Sequence, residues 1–216
     1  MSYRLLVFDW DGTIIDSASA IVDCICAAAR DTGIAVPPRE RAAHTIGLGL
    51  HDALRLAVPD LPPERYPAFV AHYRKHFLAC EDSMQLFTGV PELLVDLKQR
   101  GHRLAIATGK SRRGLDRALD ACGMAAHFHA TRCGDETQPK PHPAMLLELL
   151  EELAIEPQRA LMIGDTSHDL EMARNAGVPA IGVCSGAHPL HALEALEPLA
   201  CLKTVCELRQ WLLKNG

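Results

Sequence analysis

Four short apolar runs, at residues 5–8, 103–107, 160–163 and 180–183, each give way to polar or small residues and are separated by stretches with helical apolar spacing. Parallel strands joined by crossover helices produce that rhythm, because each strand is buried on both faces and each return path needs a helix. The expected fold class is therefore α/β, a parallel sheet flanked by helices, with short strands near Phe128 and over 199–202 extending it. The helices carry their own punctuation. The stretch 91–100 starts on Pro91 and stops at Gly101, and 111–121 has Ser111 as N-cap and Gly123 beyond its end. Further helices are expected over 143–153, over 167–176 before Gly177, and over 204–213.

Residues 17–83 break the rhythm. Apolar helical spacing recurs at Ile21, Ile25 and Ala28, and again around Leu54, Phe69, Tyr73 and Phe77, with no strand-like run between. Pro37 and Pro38, Pro59, and Pro62 and Pro63 divide this stretch into about four helical pieces. A chain of 216 residues also exceeds an average domain of ~150 residues. An all-helical cap domain over 17–83, inserted after the first strand of a discontinuous core formed by 1–16 and 84–216, accounts for both facts.

Composition excludes several classes of function. A net charge of −5, from 22 basic and 27 acidic residues, gives no clustered Lys and Arg surface for nucleic acid. No apolar run approaches the ~20 residues of a membrane span, and the opening MSYRLLVFDWDG has no secretory-leader pattern. A cytoplasmic protein without membrane or nucleic-acid partners, monomeric or homodimeric, is expected. The eight cysteines (24, 26, 80, 122, 133, 184, 201 and 206) form no C-x-x-C pair, so reduced, mostly buried thiols are expected rather than disulfides or zinc ligands.

The chemistry concentrates where the apolar runs end. Asp9, Trp10, Asp11 and Gly12 follow the first run, and in an extended chain Asp9 and Asp11 point to one side while Trp10 points to the other. Gly12 then permits a sharp turn; a plain Asp-Gly turn is the ordinary alternative. Thr108 ends the second run and, with Gly109, Lys110 and Ser111, leads into a helix N-terminus, a natural anion seat. Lys140 lies among Pro139, Pro141 and Pro143, although a lone lysine is ordinarily a solvated charge. Asp165 ends the third run and Asp169 follows one helical turn later, where it could equally cap that helix. Four carboxylates at one sheet edge repel one another unless a cation joins them, and hard oxygen ligands select Mg²⁺.

Taken together, FDWDGTIIDS, ATGK, KPHP and GDTSHDLEMARNAG resemble, in order and over nearly the whole chain, the motifs of the haloacid dehalogenase-like hydrolases, in a branch similar to phosphoglycolate phosphatases. The resemblance implies a Rossmann-like core under a helical cap and a Mg²⁺-dependent phosphatase of small phosphorylated metabolites such as 2-phosphoglycolate. It implies Asp9 as nucleophile, Asp11 as acid and base, Thr108 and Lys140 as phosphate-neutralising groups, and metal ligands at Asp9, the Asp11 carbonyl and Asp165, with Asp169 supporting. Gly109 departs from the family, many of whose members carry Asn there. A sugar phosphomutase of the same superfamily is the nearest alternative, and a non-catalytic binder on the scaffold a more distant one.

Substrate contacts are expected from Thr108, Gly109 and Lys110 at the phosphate-binding turn, and the resemblance implies leaving-group contacts from Gly47 and His51, in the Gly-containing break at 45–51 of the cap. The same break also reads as a plain interhelical turn. His72 and His76, spaced i, i+4 without a third ligand, are expected on a solvated helix face.

Overall fold

The computed structural model describes residues 3–215; the terminal residues 1–2 and 216 assigned to the core lie outside it. The first strand, β1 (Leu5–Phe8), is followed by the two-residue strand β2 (Ile15–Asp16) and four helices, α1 (Ala18–Asp31), α2 (Arg39–His44), α3 (Leu50–Ala57) and α4 (Tyr66–Cys80). The chain returns through β3 (Gln85–Leu86) into α5 (Val90–Gln99), β4 (Arg103–Thr108), α6 (Arg112–Cys122), β5 (Ala130–Cys133) and α7 (Ala144–Glu152). It closes with β6 (Ala160–Gly164), α8 (Ser167–Asn175), β7 (Ala180–Val183), α9 (Leu190–Glu194), β8 (Ala200–Leu202) and α10 (Val205–Asn215).

The main sheet has six parallel strands in the order β5-β4-β1-β6-β7-β8, so the predicted α/β class holds. The order reverses at β1, and open α/β sheets form their ligand crevice at the carboxyl edge of such a switch point. Register places Phe8 opposite Ile106 of β4 and Ile163 of β6, bringing Asp9, Thr108 and Asp165 to one edge.

Side-chain alternation along β1 divides the core. Leu6, Phe8 and Trp10 pack with α5, α6 and α10, whereas Leu5 and Val7 pack with α7 and α8. The helices between β2 and β3 have a separate core around Ile25, Leu54 and Phe69. We call them the helical insert. It leaves and rejoins the sheet through the antiparallel pair of β2 and β3, a connection the sequence analysis did not anticipate. Also unforeseen is the five-residue α9, and β5 begins two residues beyond Phe128.

All eight thiols are free, but only Cys24, Cys26 and Cys133 are buried. The expectation of mostly buried thiols is corrected: Cys206 is exposed and Cys80, Cys122, Cys184 and Cys201 are half-buried. Among the described residues no helix is long and apolar enough to cross a membrane.

Candidate active site

At the end of β1 the chain stays extended long enough to put Asp9 and Trp10 on opposite sides. Asp9 is fully buried at the sheet edge, and Trp10 enters the core. The backbone then turns at Gly12, whose φ of +79° favours glycine, and a Cβ there would come within 2.2 Å of the Asp165 carboxylate. That turn brings Thr13 round to donate its hydroxyl to Asp165 Oδ1 at 2.9 Å.

Lys140 is 2% exposed, opposite to a solvated surface lysine. Its Nζ lies 2.7 Å from Asp9 Oδ1 and 2.6 Å from Asp169 Oδ1. Burial favours the neutral amine, yet Asp169 and Asp9 outweigh it and hold the pKa above its usual value. Asp169 also accepts from the Thr166 backbone N–H (3.1 Å) and hydroxyl (2.7 Å) in a capping box that starts α8. The capping and the charged roles considered for Asp169 therefore coexist in one side chain.

Asp9, Asp165 and Asp169 offer carboxylate oxygens within 4.8 Å of one another, all buried. Burial, with repulsion from Asp169, pushes Asp165 up to about 7. Burial also raises Asp9 well above the carboxylate range, with Lys140 opposing. Asp9 Oδ2 has no hydrogen-bond partner. One lysine against three converging carboxylates leaves an excess of negative charge, so the donor set fits a hard divalent cation. Of the six carboxylate oxygens only Asp9 Oδ2 has neither a hydrogen bond nor an ion pair, since Asp165 accepts from Thr13 and Ala187 and Asp169 is engaged by Lys140 and Thr166.

Asp11 sits one layer further out. Its Oδ1 accepts from Ser17 Oγ at 2.8 Å and lies 3.2 Å from Lys110 Nζ. Lys110 in turn stands 4.5 Å from the centroid of the Phe77 ring on α4. Thr108 is buried at the end of β4, and its Oγ1 accepts from the Lys110 N–H at 3.2 Å. Asp11, Gly109, Lys110 and Gly47 line a cavity of about 570 Å³ between the insert and the sheet edge.

Two expectations change at this point. His51 is not among the cavity's lining residues; its ring packs edge-on against Tyr66, at 4.9 Å. Because α3 starts at Leu50, the i, i+3, i+4 face of Leu50, Ala53 and Leu54 meets the cavity and position 51 turns away. His72 and His76 are not simply solvated; both reach Asp31 Oδ2, at 3.2 and 2.7 Å, and tie α4 to α1.

Sequence reasoning missed Ser17, which supports Asp11, and Ala187, whose N–H donates to Asp165 Oδ2 at 2.7 Å. It also missed a clasp between insert and core: His168 Nε2 and His188 Nε2 lie 2.8 and 3.2 Å from the His44 carbonyl oxygen. Ser17 stands within FDWDGTIIDS and was open to notice; the other contacts span more than twenty residues and leave no local trace.

Fold and site together define a Rossmann-like α/β enzyme with a buried carboxylate and lysine centre beneath a helical insert. The model of the haloacid dehalogenase-like hydrolases matches residues 6–183. "Probable phosphatase IndB" of Dickeya dadantii is 37% identical over 210 residues, covering 94% of this chain and 91% of that one. A phosphoglycolate phosphatase of Agrobacterium fabrum is 32% identical over 203 residues, covering 90% and 85%. A haloacid dehalogenase-like hydrolase from Bacteroides fragilis superposes with a TM-score of 0.87 at 26% identity, covering 96% of this chain and all of that one. The chain belongs to the haloacid dehalogenase-like hydrolase family. With these relatives it is a phosphoric monoester hydrolase.

Proposed function

We propose that the protein is a Mg²⁺-dependent phosphatase of small organic phosphate monoesters that works through an aspartyl-phosphate on Asp9. The observation that carries this reading is the pairing of two carboxylates in different surroundings. Asp9 is sealed at the sheet edge beside Lys140 with one oxygen unpartnered, whereas Asp11 faces the cavity. A buried, charge-flanked carboxylate suits a nucleophile, and a cavity-facing one suits proton transfer to a leaving group.

In the first step Asp9 attacks phosphorus, a bond forms between its carboxylate oxygen and phosphorus, and the bond to the ester oxygen breaks. Asp11 gives its proton to the departing alkoxide. In the second step the Asp11 carboxylate takes a proton from water, whose oxygen displaces phosphate and frees Asp9. Lys140 and Thr108 offset charge on the phosphoryl oxygens and keep Asp9 oriented. Mg²⁺, held by Asp9, Asp165 and the Asp11 carbonyl, would supply electrostatic neutralisation of the dianionic ester. The helical insert over 17–83 acts as the cap that excludes water from the centre.

The test is inorganic phosphate release from a panel of monoesters that includes 2-phosphoglycolate and hexose phosphates, with and without Mg²⁺, for the parent and Asp9→Asn. Metal-dependent release that disappears in the variant is expected. Isomerised sugar phosphate in place of free phosphate would identify a mutase.

A further inference from the structure

The cavity beneath the insert differs in chemistry from the centre it serves. Asp11, the group assigned to protonate the leaving alcohol, lines it; Asp9, Lys140 and Asp165 do not. The cavity is therefore the space on the leaving-group side of the phosphorus. Its volume of about 570 Å³ falls within the ~300–1,000 Å³ of pockets that enclose drug-sized ligands, far more than a two-carbon acid fills.

Most of its wall is apolar; Thr45, whose hydroxyl donates to the Ala42 carbonyl, and Ser111 are also in the lining. Ile21 and Ile25 of α1, Leu48, Leu54 of α3, and Tyr73 and Phe77 of α4 line it, the first four buried. The Tyr73 and Phe77 rings stand 6.0 Å apart and inclined at 29°, forming one aromatic wall. The charged lining residues other than Asp11 and Lys110 are Arg74, Arg113, Arg117 and Asp135, and all four are exposed. Lys110 is already paired with Asp11 and rests over Phe77. A carboxylate placed two bonds from the ester oxygen, as in 2-phosphoglycolate, would compete with Asp11 for that one inner cation. An apolar ring in the same place would displace water from Ile25, Leu54 and Phe77 and leave the Lys110–Asp11 pair intact.

We propose that the preferred substrates are phosphate monoesters of alcohols that carry an apolar, ring-sized body, and that 2-phosphoglycolate is a poor substrate. The inference rests on the phosphatase reading above and specifies the substrate class at that site. Arg74 and Arg113 at the mouth attract the phosphate dianion during entry without holding the leaving group.

The test measures phosphate release from benzyl phosphate, ethyl phosphate and 2-phosphoglycolate by the full-length protein with Mg²⁺. Benzyl and ethyl alcohols differ in apolar bulk but little in acidity, so their ratio reports cavity contacts rather than leaving-group chemistry. Benzyl phosphate is expected to exceed both others in kcat/KM by about tenfold or more, the gain for enclosing a ring-sized apolar group. Phe77→Ala is expected to reduce the benzyl-to-ethyl ratio several-fold, and Phe77→Leu, which retains packing volume, to reduce it less. Equal turnover of benzyl and ethyl phosphate, a preference for 2-phosphoglycolate, or a ratio unmoved by both substitutions overturns the inference and leaves the phosphatase reading intact. Absence of release from all three esters overturns both.

Discussion

Asp11 is oriented from two directions, by the Ser17 hydroxyl at the start of the insert and by the Lys110 ammonium from the sheet edge. If it protonates the leaving alkoxide, Asp11→Asn lowers kcat/KM for an alkyl phosphate, which reports transfer to Asp9 and not the later hydrolysis, by ~10²–10⁴-fold. The loss in kcat/KM is far smaller for p-nitrophenyl phosphate, whose phenolate departs without a proton. Steady-state kinetics on the two esters check this, and equal losses in kcat/KM would remove Asp11 from protonation of the leaving group. Lys140 separates Asp9 from Asp169, and Lys140→Met leaves two buried carboxylates facing each other. Removing one partner of such a buried arrangement costs about 3–5 kcal/mol. Urea unfolding without divalent ions is expected to register that loss at alkaline pH. The deficit shrinks on acidification, because Asp9, whose pKa burial raises, takes up a proton in the folded state.

At the scale of elements, the approach of the insert to the loop after β4 is set by a missing side chain. A Cβ on Gly109 would lie 2.3 Å from the Leu48 carbonyl oxygen and 2.5 Å from that of Gly47, both backbone atoms that cannot swing aside. Gly109 is therefore the residue that lets this turn of the insert settle directly on the loop after β4. Gly109→Asn is expected to lift the turn, destabilise the protein by about 1–3 kcal/mol through overpacking, and raise KM. A urea titration and a KM measurement check the two effects separately. Unchanged KM would mean that the seating of Gly47 and Leu48 has no part in substrate capture.

For the whole molecule, two sets of buried groups give pH dependences that arise in different places. Asp165 is pushed up to about 7, so at and below that pH a divalent ion bound at the proposed site displaces a proton from the carboxylate cluster. Mg²⁺ affinity is expected to weaken as pH falls through about 7, with proton release on binding. Calorimetry in two buffers of different ionisation heat detects that release. His188 in the insert–core clasp moves the other way: burial lowers it from 6.5 to about 4. The unfolded chain then binds the proton more readily, so the clasp's contribution is complete above 6.5 and lost as pH falls towards about 4. With parent and variant both melted without divalent ions, so that the carboxylates contribute alike to each, His188→Gln is expected to show a shallower loss of stability across that window, followed by thermal melts.

The strands, the helix boundaries and the polar residues at strand ends were legible in the sequence because each is written in short-range terms. Burial on both faces makes β1 and β6 continuous apolar runs, Ser111 and Gly123 bracket α6, and Asp9, Thr108 and Asp165 follow the last apolar residues of their strands. The helical character of residues 17–83 was equally local, carried by 3.6-residue spacing between prolines. Which way each helix faces was not, since a shift of one residue in the start of α3 turns His51 away from the cavity and Leu54 toward it. Nor was any partnership across a long loop: Lys140 with Asp9 and Asp169, β2 with β3, and His168 and His188 with the His44 carbonyl join segments that share no periodicity. Local patterning thus determined the elements and the chemical groups at their ends. Only tertiary packing decided which groups meet, because burial and exclusion of water make those contacts, and both depend on neighbours distant in the chain.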